Sequence, residues 1–392
     1  MERSNKITDG IKLLTSISTE NTFNDTRFEC SVEVPFIQEG FGIEVNGKEV
    51  SKGHSMTFND CSFFDEVNML SDSNGECVIT FVDCIFEKNI NAEDAVMNGK
   101  VRFRNCHFKG DVNFRNTTFN NLADFWQCTF HKPTTFYKTD FNATTVFSSA
   151  TFNENVLFTY SLFGGKAIFG RTKFIKGLDI SQTIIGGELQ IFDLSFDYQK
   201  YVAEYVGTNN SKFQNYIDNL HKIPQINKVT TFQILKNQYA KQGNHIDEIT
   251  MRKEEKKAFS ELVQARKKDN DWTSTTGGDR FILWLNRWSN HHKADFRNGI
   301  VFTASVAFLF LLLTFVTTGE FWSRLCLDCK FDSRVIGYTI KSFINFLNPV
   351  HKTTYIDSLN PIFGIPYVFD FLGRIAVGYG MYQTVQAFRK YR

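Results

Sequence analysis

The sequence predicts a β-solenoid followed by a helical, membrane-associated region, on three observations. Large apolar residues recur with a period of eleven, at Phe103, Phe108, Phe114, Phe119, Phe125, Phe130, Phe136, Phe141, Phe147, Phe152, Phe158, Phe163, Phe169 and Phe174, with Ile180, Ile185, Ile191 and Phe196 ending the series. Their steps alternate five and six; neither a helix nor a flat strand repeats that way, whereas a chain that coils through corners does. Further on, Gly299–Thr318 is a run of twenty residues without a charge, enough to cross about 30 Å of hydrocarbon as a helix.

Within the repeat, a small residue stands two before each five-step phenylalanine: Cys106, Thr117, Cys128, Thr139, Ala150, Ser161 and Thr172. Before the six-step set come Val101, Val112, Ala123, Thr134, Thr145, Val156, Ala167, Leu178 and Leu189. Residues i and i−2 on an extended segment share a side, so each side of the coil turns one large and one smaller residue inward. Positions 22 apart fall on the same side one coil on, which makes Cys84, Cys106 and Cys128 a column, joined by Cys61 after a one-residue slip. Cysteine there fills the small interior slot as a compact apolar residue; the alternative is a metal or redox ladder.

This pattern resembles the pentapeptide-repeat proteins. Over residues 28–196 the resemblance implies a right-handed quadrilateral β-helix, with a large apolar residue at the centre of each five and a small one two before it. The chain departs from that scheme in using Phe where Leu is usual, and in giving every second unit six residues. About 22 residues per coil result, and the extra residue should enlarge a corner or form a bulge. Phe58, Phe63, Phe81 and Phe86 keep the phase upstream, and Phe36 and Phe41 are candidates for a coil before them. About seven coils are expected, with residues 1–27 as an N-terminal cap.

Phenylalanine is 42 of the 392 residues, and the repeat explains much of that excess. The net charge of +2 decides little, but its distribution is uneven. Glu29–Asp94 holds fourteen acids against three lysines, and Asp197–Asn298 seventeen Lys or Arg against twelve acids. The opening MERSNKITDGIKLL lacks the apolar run and cleavage site of a secretory signal. The solenoid is therefore expected in the cytoplasm with reduced thiols.

After Phe196 the rhythm stops, and residues 197–280 read as a helical connector. Lys228–Lys241 carries Phe232, Ile234, Leu235 and Tyr239 on one side; a second helix from about His245 to Lys268 offers Ile246, Ile249, Ala258, Phe259 and Leu262. Gly243 between them fits a helix stop, and the pair reads as an αα-hairpin similar to a single tetratricopeptide-like unit. In MRKEEKKAFSELVQARKK the interleaved Glu254, Glu255 and Glu261 indicate a solvated face rather than a nucleic-acid patch.

Residues 281–298 form a juxtamembrane segment, in which Trp284 and Trp288 with Arg287, Lys293 and Arg297 read as a cytoplasmic interfacial belt. His291 and His292 point apart on a helix and do not make a metal site. The first span is 299–318. An external hairpin, 319–360, carries Cys326 and Cys329 and an amphipathic or re-entrant stretch at 334–350. A second span is expected at 361–388, and the basic tail 389–392 (Arg389, Lys390, Arg392) places the C-terminus in the cytoplasm with the N-terminus.

In the second span, Asp370 and Arg374 can pair at i,i+4. Either they line or gate a pore, or they form a pair at the outer interface. Gly373, Gly378 and Gly380 offer a close-packing surface to neighbouring helices. Ala376–Gly380 is similar to a potassium-filter sequence but lacks the inner helix that must follow one. The sequence has no phosphate-binding loop, HExxH or GxSxG, so no catalytic, cofactor or metal residue is expected.

KNQYAKQGNHIDEI, FILWLNRWSNHH and VGYGMYQTVQAFRKY, taken with the repeat, resemble a group of bacterial pentapeptide-repeat membrane proteins. That resemblance implies architecture more than activity. The expected function is a non-enzymatic inner-membrane protein, whose cytoplasmic solenoid binds or senses a protein partner or another copy of itself through a two-span anchor. The alternative is an oligomeric pore- or channel-forming effector gated by the solenoid, as in some anti-phage systems. A gyrase-binding DNA mimic fits poorly, since residues 28–196 hold twenty-one acids against fourteen bases.

Overall fold

A computed structural model of the chain describes residues 5–8, 22–34, 44–45, 48–49, 55–71, 77–207, 215–217, 221–268, 277–290, 296–319, 321, 333–359, 361 and 363–388. The chain forms two compact units, Met1–Gln242 with Gln264–Asp271, and Gly243–Val263 with Trp272–Arg392.

The first unit is a β-solenoid of about seven turns, built from short parallel strands in four sheets, one per side of the coil. Successive coils repeat at the expected interval, so that Asn105 stands over Asp83 and Asn116 over Asp94. One side runs from Asn5–Ile7 to Ser195–Phe196 in nine strands, and the next from Thr22–Asn24 to Leu189–Phe192 in eight. The third runs from Val32–Val34 to Gly177–Asp179 in seven strands, and the fourth from Val96–Met97 to Ile184–Ile185 in five. Phe86 pairs with Phe108, and the series continues through Phe130, Phe152, Phe174 and Phe196. Phe63 pairs with Phe86, which is the one-residue slip.

The start of the ladder differs from expectation. Phe23 pairs with Phe58 and Phe28 with Phe63, across a longer interval than a single coil, and Asn5–Ile7 lies beside Thr26–Phe28. The residues beneath Phe58 and Phe63 are thus Phe23 and Phe28; Phe36 and Phe41 lie outside the described residues. The ladder reaches into segment 1–27, which therefore does more than cap it. The interruption includes an antiparallel hairpin, Glu44–Val45 with Lys48–Glu49. A solenoid tolerates an insertion because each coil touches only its neighbours, but counting a period cannot pass through one.

In-register parallel pairing puts like residues above one another at the strand spacing, about 4.8 Å, so the phenylalanines must stack. Ring centroids lie 5.1 and 4.6 Å apart along Phe86, Phe108 and Phe130, and 4.8, 5.5 and 5.0 Å along Phe81, Phe103, Phe125 and Phe147. Shorter stacks join Phe114, Phe136 and Phe158, and Phe119, Phe141 and Phe163. Rings from adjoining sides meet at steep angles, 66° for Phe103 and Phe108, a geometry that suits the ring quadrupoles. All fourteen rings from Phe103 to Phe174 are buried. The stack opens in the last coil, where Ile185 is exposed and Phe196 half-buried.

Two kinds of corner explain the alternation of five and six. Each five-residue step contains a residue at positive φ: Asp83, Asp94, Asn105, Asn116, Gln127, Lys138, Ser149, Tyr160, Arg171, Gln182 and Asp193, all between 52° and 60°. A tight reversal needs a left-handed residue at that point. The six-residue steps turn without one, so the extra residue widens the alternate corners.

Helix α1 (Gln225–Lys241) closes the last coil. Its Phe232 meets the rings of Phe196 and Tyr201 at 6.1 and 5.4 Å, and Leu235 lines a small apolar cavity with Phe163, Phe169 and Ile191. Gly243 follows at φ +71°, and α2 spans His245–Lys268.

The second unit contains α3 (Gly277–Asn290), α4 (Phe296–Val316), α5 (Ser333–Phe346), the single turn α6 (Thr354–Asp357) and α7 (Ile365–Phe388). α4 and α7 run antiparallel in close contact. A Cβ on Gly299 would lie 2.7 Å from Thr384, and one on Gly380 2.4 Å from Thr303. The C-terminal end of α5 packs on this pair, Phe346 joining Ala307, Leu311 and Val377 in a buried cluster. The expected spans 299–318 and 361–388 correspond to α4 and α7, but among the described residues only α4 is long and apolar enough to cross a membrane. α7 has the length, and its Asp370, Arg374, Gln383 and Gln386 lower its apolarity. Ala376–Gly380 is continuous helix. His291, His292, Lys293, Cys326, Cys329, Arg389, Lys390 and Arg392 lie outside the described residues.

Candidate functional site

The interior slot of the solenoid holds hydrogen-bond donors as well as small side chains. Thr117, Thr139, Ser161 and Thr172 donate their hydroxyls to the carbonyls of Ala92, Phe114, Phe136 and Phe147 at 2.5–2.9 Å. Cys61, Cys84, Cys106 and Cys128 make the corresponding contacts, with Sγ 3.5, 3.3, 3.6 and 3.1 Å from the carbonyls of Phe23, Phe58, Phe81 and Phe103. A buried backbone carbonyl gains from a partner, and a thiol supplies a weak one. Burial, ahead of the neighbouring thiols, pushes the Cys84 and Cys106 thiols well above the usual range, which keeps them protonated and poor as nucleophiles or ligands. The described residues include no group of three or more His, Cys, Asp or Glu placed to hold a metal.

A polar cluster that sequence reading missed ties α1 to the last coil. Asp179 is fully buried; its Oδ1 accepts from the Ser181 amide and hydroxyl at 2.8 and 2.6 Å, and its Oδ2 from Asn227 Nδ2 at 2.8 Å. Burial pushes the carboxyl above the usual carboxylate range, against the pull of those donors. The Tyr201 hydroxyl donates to the Leu178 carbonyl, and Lys228 Nζ donates to the Tyr201 carbonyl at 2.9 Å. The only hint in the sequence is an acid one coil after Leu157, where the repeat would carry an uncharged residue.

The strongest candidate site is in the helical unit. Asp370 and Arg374 do form the i,i+4 pair, Nε to Oδ2 at 2.8 Å. Asp370 is 1% exposed and does not stand open at a surface of the single chain. Its Oδ1 accepts from His351 Nε2 and the Tyr355 hydroxyl, both at 2.7 Å. His351 Nδ1 lies 2.7 Å from the Asn348 carbonyl. Both ring nitrogens thus face oxygen acceptors. The cluster fastens the segment between α5 and α7 onto the second turn of α7. His351 and Tyr355 carry no periodic signal, and their separation from Asp370 along the chain is unrelated to any helix turn.

The three glycines divide. A Cβ on Gly373 would meet Phe346 and Phe310 at 2.6 and 2.8 Å, and Gly380 closes on Thr303; one on Gly378 meets nothing within 4 Å. Gly378 does not share that face, since residues seven apart lie on one stripe of a helix and one two away does not.

Across the solenoid, salt bridges link successive coils on the outer surface, as Lys109 with Glu87 at 2.7 Å and Arg104 with Asp124 at 2.9 Å. Trp126 and Tyr160 stand exposed among such residues. Comparison with curated proteins and with solved structures gives no significant match. Residues 92–140, which carry the strict eleven-residue period through Cys106, Phe108, Phe119 and Phe130, match the family model described as pentapeptide repeats, in nine copies.

Proposed function

We propose that the protein is a non-enzymatic recognition scaffold tethered in a bacterial inner membrane, with the solenoid in the cytoplasm and α4 and α7 as a two-span anchor. The observation that carries the anchor is an inverted distribution of polarity in the helical pair. Asp370, Gln383, Thr303 and Thr314 are buried between helices, while Val301, Phe308, Leu309, Phe371, Ile375 and Val385 are at least half exposed. Water would favour the opposite arrangement; hydrocarbon favours this one. It also supports a membrane role for α7, whose internal charges depress its apolarity.

The scaffold reading rests on the solenoid. Most of its phenylalanines are spent on the internal stack, and its outward positions, Trp126 and Tyr160 among them, are held in rows one strand apart, which suits recognition of a partner or of another copy. The acid-rich coils between Glu29 and Asp94 suit a basic partner. Membranes from cells expressing the full chain, and a chain ending at Lys268, each with a fluorescent protein on the C-terminus, test the anchor. The full chain should stay with the membrane through alkaline carbonate washing with its reporter fluorescent inside the cell, and the shortened chain should be released. Release of the full chain would overturn the proposal.

A further inference from the structure

We infer that α3 is an interfacial helix that lies along the bilayer surface, with Phe281, Trp284 and Trp288 as its lipid-contacting side. This rests on the membrane reading of α4 and α7 and goes beyond it, because it assigns a lipid-binding surface outside the spans.

Three observations carry it. Phe281, Trp284 and Trp288, at i, i+3 and i+7 on one side of α3, are 60%, 54% and 58% exposed. Their rings form a ribbon, with centroids 6.0 Å apart for Phe281 and Trp284 and 5.6 Å for Trp284 and Trp288. The ribbon continues onto the span, where Trp288 meets Phe302 of α4 edge-on at 5.3 Å. Phe302 is itself buried, so this contact seats the exposed ribbon against the side of α4.

The opposite side of α3 is held by protein. Asn286 Oδ1 accepts from the Tyr379 hydroxyl at 3.0 Å and from Gln383 Nε2 at 3.2 Å, and Ser289 is buried. Those contacts also set the depth. Tyr379 and Gln383 lie on the last turns of α7, where Thr384 packs on Gly299 near the start of α4. α3 thus sits level with one end of the span, where headgroups meet acyl chains. Tryptophan, with an apolar ring and a polar N–H, favours that layer, and a helix with one aromatic side and one polar side lies in its plane. A lipid surface matches both the position and the exposure of the ribbon.

The test uses the full chain with Trp126, Trp272 and Trp322 replaced by phenylalanine, so that Trp284 and Trp288 supply the emission. It is reconstituted into phosphatidylcholine and phosphatidylglycerol vesicles carrying bromine at shallow or at deep acyl positions. The expected result is loss of emission with both, larger with shallow bromines. Greater loss with deep bromines would overturn the interfacial placement, as would no loss in chains that float with the vesicles, which would mean that protein covers the ribbon. Failure to float would reject the membrane reading itself. In the unmodified chain, photoactivatable lipid should give adducts within 281–288; adducts confined to α4 and α7 would overturn the inference independently.

Discussion

In the solenoid the phenylalanine stack is inside and most charge outside, with Asp124 and Asp179 as buried acids; in the α4–α7 pair the order is reversed. Phe103 is 0% exposed and Phe371 62%, whereas Arg104 of the solenoid faces outward and Asp370 of α7 is buried. On the membrane reading proposed above, the same residue types take opposite positions because the two regions meet different surroundings. The solenoid gathers its apolar surface away from water. The helical pair gathers its few polar groups away from an apolar exterior, where each would be costly unless paired. A composition-based reading sees only aromatic richness in both.

The largest effect that sharpens this contrast is in the stack. Phe125→Ala removes a ring held between Phe103 and Phe147, and should cost about 3–5 kcal/mol, measured by urea unfolding of the solenoid signal in circular dichroism. Phe371→Ala, on an exposed position of α7, should change the stability of the detergent-solubilised chain by less than about 0.5 kcal/mol. Equal losses at the two sites would break the comparison.

The glycines provide the next test. Gly380→Leu must push Thr303 and the α4 backbone aside, and should destabilise the helical unit by about 1–3 kcal/mol. Gly378→Leu, with open space around it, should stay within about 0.5 kcal/mol. Thermal melting in detergent separates them, and a large effect at Gly378 would reveal a neighbour supplied by another chain.

The smallest effect concerns the corners. Gln127 adopts φ +57°, where Asn is better tolerated than a longer side chain. Gln127→Asn should raise solenoid stability by up to about 1 kcal/mol, and a decrease would show that the corner needs the longer side chain. No matching change is available in α7, which has no repeated strained position.

How far the fold is legible follows from repetition. The eleven-residue period through Phe103 to Phe174 reveals the coil, the interior slots and the Cys61, Cys84, Cys106 and Cys128 column, because each coil restates the same local requirement. The hydroxyl and thiol donors of those slots look merely small in the sequence, since their acceptors lie in the neighbouring coil and become visible only when coils stack. The start of the ladder is misplaced by counting, because an insertion carries no period. In the helical unit, Asp370 and Arg374 are legible as one helix turn, but His351, Tyr355 and Asn348 are not, since loop residues meet a helix only through tertiary packing.

The sequence by itself determined that the chain coils with a fixed period and that α4 is apolar enough to cross a membrane, because both are local properties summed along the chain. Only the tertiary structure decided that Asp179 ties α1 to the last coil, that Asp370 of α7 is buried, and that Asn286 holds the side of α3 opposite its exposed aromatic residues. Each of these depends on distant residues brought within hydrogen-bond reach, a distance of about 3 Å that no spacing in the sequence encodes.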